Sequence, residues 1–208
     1  MRTCGSWETR VIQKRMRWHT VCLLAVLLCT TSACRTARPP SAGELAALDS
    51  PPPELVAWLD ATVPATVRWY DESAAELAQR GRPLTEEELA LARSRGVEHP
   101  ERVRVVVETQ FPQPADPDLR ARLQFLGLGS RAIGGLTMGY AILLKPRYAK
   151  KRWILAHELV HVRQLERLGS AKFLRRYFTE AKMLGYARIP LELEADGRWP
   201  AQTGAPPP

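Results

Sequence analysis

The order of apolar and polar positions divides the chain into helices with a short β segment between them. Leu55, Val56, Trp58 and Leu59 open a helical stretch reaching to about residue 80, with a break expected at Pro64, which lacks the N–H a helix interior uses. Thr85 with Glu88 three residues on is a capping box, so a helix is expected over 86–95, closed by Gly96. Residues 102–108 and 136–144 are rich in β-branched and aliphatic side chains and read as two strands, with a turn-rich segment at 111–117 between them. From Trp153 to Val162 the sequence is apolar almost all round, the pattern of a helix buried in a domain, and it continues to Leu168 and stops at Gly169. Ser170 caps a further helix over 171–184, in which Phe173, Leu174, Tyr177, Phe178, Ala181 and Leu184 recur at helical spacing before Gly185 closes it. Pro190 suits the first position of a last short helix. The fold class expected is α+β: one mostly helical domain over 54–199 with a small sheet.

Outside those limits the pattern changes. Arg2, Arg10, Lys14, Arg15 and Arg17 precede an apolar run over 21–28, which falls short of the roughly 20 residues that span a bilayer as a helix. Residues 1–34 therefore read as an export signal, and a start at Met16 would leave a compact one. All four cysteines, Cys4, Cys22, Cys29 and Cys34, lie in or at the end of this segment, so the mature domain has none to pair. The small residues before Cys34 resemble a bacterial lipoprotein box, with Thr31 departing from it. The resemblance implies cleavage before a lipidated Cys34, the alternative being ordinary cleavage near Ala33. Arg35 after the cysteine leans to the outer membrane, facing the periplasm. Residues 35–53, rich in Pro, Ala and Ser, are expected to form a tether, and 200–208 a disordered tail.

Charge adds little. The net charge is +8, but much of it sits before Cys34, where only Glu8 opposes the five basic residues. The remainder reads as scattered solvation, with no basic run interleaved with exposed aromatics, so no nucleic-acid partner is expected. Oligomeric state is left open.

The candidate chemistry interrupts the apolar helix. His157-Glu158-Leu159-Val160-His161 matches HExxH, whose histidines at i and i+4 share one helix face and can present two imidazole nitrogens to one ion. Glu158, about a third of a turn away, is placed beside such an ion as general base. Zinc suits this set, and a catalytic zinc needs a third protein ligand. Downstream only carboxylates can supply it: Glu166, Glu180, Glu192, Glu194 and Asp196. A helix begun by Pro190 puts Glu192 and Asp196 on one face and Glu194 on another, and a different helix phase would exchange the two glutamates. His99, beside Pro100, reads as a loop residue.

HExxH followed by a helix carrying ExxxD resembles the gluzincin metallopeptidases. With Gly-Leu-Thr-Met-Gly-Tyr before it and Gly-Tyr before Ile-Pro-Leu-Glu-Leu-Glu-Ala-Asp, residues 97–197 are similar to small uncharacterised bacterial proteins of that type. The resemblance implies Glu192 as third zinc ligand, Asp196 as the partner orienting a zinc-bound histidine, and the strand before the motif as a substrate-receiving edge, with Gly134, Gly135 and Gly139 permitting close approach. It implies peptide-bond hydrolysis on one zinc ion per chain, with a peptide or protein as substrate. Tyr186 is the first candidate for an oxyanion donor, with Tyr177 and Arg188 behind it. Two other functions remain: a metal-binding lipoprotein that binds a partner without turnover, and a cell-wall amidase using the same site.

Overall fold

The computed structural model describes residues 38–126 and 133–199. The export signal, Cys34 and the tail at 200–208 lie outside the described residues. From Pro39 onward the chain forms one unit. Its helices are α1 (Ala42–Ala47), α2 (Pro53–Arg80), α3 (Glu86–Ser94), α4 (Pro117–Arg122), α5 (Arg152–Leu184) and α6 (Pro190–Ala195). Its strands are β1 (Arg82–Pro83), β2 (Arg104–Val107), β3 (Gly135–Met138) and β4 (Ala141–Leu144). The architecture is mixed α+β, mostly helical with a small four-stranded mixed sheet.

The sheet runs in the order β1-β2-β4-β3, with β2 and β4 parallel and the outer pairs antiparallel. β4 is interior and buried at every position, so both of its faces must be apolar. Ala141 and Leu143 join Val106, Leu59, Val63 and Phe178 on one side; Ile142 and Leu144 join Val105, Leu91, Leu155 and Leu159 on the other. That alternation is the period of two expected of a strand. The helix carrying His157 packs on one face of the sheet, and α2 with the later part of α5 packs on the other. Gly169, at φ 71°, turns the chain between the two parts of α5, a conformation open to glycine because it has no Cβ.

Four expectations change. The strand expected over 136–144 is a hairpin, β3 and β4, turned at Gly139 with φ 58°. α2 runs unbroken through Pro64, because Pro64 lies on the exposed face and the Asp60 carbonyl that loses its partner sits with an exposed residue. The segment expected to be a tether contains α1, whose Ser41 and Glu44 form a capping box. The Ser170 O–H donates to Asp71 at 2.6 Å, a bond to α2 in place of the expected cap.

Candidate metal centre

Helix α5 brings His157 and His161 together because four residues make about one turn. Their Nε2 atoms lie 3.1 Å apart. The third group arrives on α6, a helix of less than two turns that depends on its neighbours. Pro190 starts it, and the buried Glu180 carboxylate of α5 accepts from the Leu191 N–H at 3.1 Å, satisfying a donor the short helix cannot. So placed, Glu192 straddles the pair, with Oε2 3.3 Å from His157 Nε2 and Oε1 3.5 Å from His161 Nε2. Among the described residues, His157, His161 and Glu192 form the one group of three such side chains able to hold a metal.

The tautomers follow from the far side of each ring. His157 Nδ1 lies 3.0 Å from Asp196 Oδ1, an acceptor. His161 Nδ1 lies 2.8 Å from Gln164 Oε1. The Gln164 amide is oriented by its own nitrogen, which donates to the Leu191 carbonyl at 3.0 Å and to Glu194 at 3.1 Å, so its oxygen must face His161. With a proton on each Nδ1, both Nε2 lone pairs point toward one another and toward a carboxylate. Four electron-rich atoms, the two Nε2 and the two Glu192 oxygens, thus face one another with contacts of 3.1–3.5 Å, a group that could hold a cation. Two imidazole nitrogens and a carboxylate are donors of the kind zinc takes, so the set suits zinc in its chemistry.

The metal-free electrostatics say the same in protons. Burial alone would lower the His161 pKa, but the Glu192 carboxylate overrides it and holds the ring up to about 9. The same burial opposes ionisation of Glu192, yet His161 and His157 keep it well below the usual carboxylate range. A proton therefore substitutes for the cation.

Glu158 is 4% exposed and turns toward β3, where Oε2 accepts from the Thr137 hydroxyl at 2.7 Å. Burial pushes its pKa up, against the pull of the two histidines and Thr137. Gly135 leaves room for it: a Cβ there would collide with the Glu158 carboxyl group. Tyr177 donates to Glu192 Oε1 at 2.7 Å and hydrogen-bonds to Tyr186, which stands 53% exposed.

Other nominated groups go elsewhere. Glu194 is buried away from the histidines, where Arg163 donates to Oε1 and Arg167 approaches within 3.8 Å. Arg188, the third candidate donor, pairs with Glu44 of α1 at 2.7 Å. Glu166 accepts from the Glu98 and His99 N–H groups, and His99 is exposed. Trp153, expected in the buried helix, is 62% exposed. Gln164 and Thr137 were given no role from the sequence. Gln164 had a signal: a polar amide three residues after His161, on the buried side of an apolar helix.

The group opens into a cleft of about 750 Å³ including its mouth, floored by apolar side chains such as Trp69, Leu136, Phe173 and Phe178. β3 forms one wall. Its pairing, fixed by the Lys145 N–H on the Gly134 carbonyl, turns the backbone of Gly135 and Thr137 away from β4, toward the edge that pairs with no further strand among the described residues. The Tyr70 hydroxyl already donates to the Thr137 carbonyl, leaving the groups of Gly135 and the Thr137 N–H on that edge. Comparison with known protein families, curated proteins and solved structures finds no match.

Proposed function

We propose that this chain is a zinc-dependent hydrolase of peptide bonds, with His157, His161 and Glu192 as zinc ligands. The observation that carries the reading is a buried carboxylate, Glu158, next to a three-donor group that leaves a tetrahedral position open; a purely structural site has four protein ligands and no use for a base. Zinc bound there would supply Lewis acidity toward a carbonyl oxygen and would make water acidic near neutral pH. Glu158 takes the proton of the attacking water and passes it to the amine as the carbon–nitrogen bond breaks. Its raised pKa suits both halves of that task, and the Thr137 hydroxyl holds one of its oxygens in place.

The Tyr177 proton is committed to Glu192, so the Tyr186 hydroxyl, at the rim, donates to Tyr177 at rest and turns from it to the developing oxyanion. A substrate backbone lies along β3, taking the Gly135 groups and the Thr137 N–H, with side chains over the apolar floor. The protein acts in the bacterial cell envelope, exported and anchored through a lipid on Cys34.

The test is Glu158→Gln. Cleavage of casein or a peptide library should fall to background while the variant still binds about one zinc ion per chain. Undiminished turnover would end this reading, and release of cell-wall amide products alone would replace it with the amidase.

A further inference from the structure

We propose that the segment leading into α5 docks on an anionic lipid surface. Lys145, Arg147, Lys150, Lys151 and Arg152 crowd into a stretch without one acidic residue, and none occurs between Asp118 and Glu158. Arg147, Lys150, Lys151, Arg152 and Trp153 are all exposed. Among the described residues no carboxylate pairs with Lys150, Lys151 or Arg152.

Their position is electrostatically unfavourable inside the protein. Lys151 is the N-cap residue of α5 and Arg152 its first residue, and the first turn holds no acidic side chain. Positive charge at the positive end of a helix is repelled by the helix dipole, and among the described residues no first-turn carboxylate of this helix offsets it. An external anionic partner would relieve this repulsion.

Trp153 selects the kind of partner. Among the described residues it is the most exposed large hydrophobic side chain, and its ring is steadied edge-on against Tyr148 at 5.9 Å, with Arg147 over the Tyr148 ring at 4.6 Å. A tryptophan beside lysines and arginines is the composition that settles at a bilayer interface, its ring among headgroups and the cations on phosphates. Trp153 also lies one turn before His157, on the same helix face, so the patch adjoins the rim of the cleft. The proposal does not rest on the hydrolase reading.

The chain from Arg35 onward, which contains the whole unit beginning at Pro39, is sedimented with vesicles of phosphatidylcholine alone and of phosphatidylcholine mixed with phosphatidylglycerol. It should bind the mixed vesicles and not the neutral ones, with a blue shift of tryptophan emission that Trp153→Phe removes. Lys150→Gln with Lys151→Gln should weaken binding by roughly 25-fold, about fivefold for each charge, with circular dichroism unchanged. Equal binding to both vesicle types, no binding to either, or full binding by the double variant would overturn the proposal. Tighter binding to a single-stranded oligonucleotide than to the mixed vesicles at equal salt would overturn it in favour of nucleic acid.

Discussion

His161 Nδ1 meets the Gln164 side-chain oxygen at 2.8 Å, and the nitrogen of the same amide holds the Leu191 carbonyl, one residue before Glu192. One side chain thus fixes the tautomer of a histidine and the position of the helix bearing the carboxylate. Gln164→Leu should weaken zinc affinity by about 10–100-fold, the usual cost of losing a partner that orients a metal ligand. Competition against a chromogenic chelator measures it. Gln164→Glu should be worse for stability, because its second oxygen would face the Leu191 carbonyl and the Glu194 carboxylate.

Glu192 and Glu194 should separate cleanly. Glu192→Ala removes a metal donor, so zinc retention after dialysis should be lost while the fold survives. Glu194→Ala leaves Arg163 and Arg167 without the buried carboxylate they share. It should lower stability by on the order of 3 kcal/mol, read in urea unfolding. Loss of zinc by Glu194→Ala with unchanged stability would exchange their roles.

Gly135→Ala tests the placement of Glu158. The added methyl would push the carboxyl group from its seat beneath β3. Turnover of a peptide substrate should fall by roughly 100-fold, the cost of about 1 Å of misplacement, with zinc affinity nearly unchanged. A variant as active as the parent would show that this seat is not the working position.

The histidine–carboxylate pair predicts a pH window for the metal-free protein. His161 is raised from 6.5 to about 9, so its contribution to stability is complete below 6.5 and lost as pH rises through about 9. Glu192 is depressed from 4.5, so its contribution is present above 4.5 and lost as pH falls through its folded value. Unfolding midpoints of the metal-free protein should therefore decline on both sides of that interval. Zinc must displace the proton between His161 and Glu192, so its affinity should rise with pH up to about 9, with proton release visible by calorimetry in buffers of different ionisation heat.

Pro64 marks a removable strain. It breaks the hydrogen-bond ladder of α2 on an exposed face. Pro64→Ala should raise stability by about 2 kcal/mol, somewhat under the full helix-interior cost of proline because the unfolded chain also gains freedom, and thermal unfolding would record it.

The sequence by itself determined what depends on neighbours along the chain. The capping box at Thr85 and Glu88, the closures at Gly96 and Gly185, Pro190 at the head of α6, and the one-turn spacing of His157 and His161 follow from local geometry. Asp196, four residues after Glu192, was legible for the same reason. Tertiary structure decided the rest, because those outcomes depend on which face a residue shows and what lies across from it. Pro64 could stay helical only because it faces solvent. Arg188 was drawn off to Glu44, a residue far back in the chain. Glu194 was drawn to Arg163 and Gln164 of α5 and Glu192 to the histidines. Thr137 and Gly135 became the seat of Glu158 only when the hairpin placed β3 against α5, a contact between segments about twenty residues apart that no local spacing encodes.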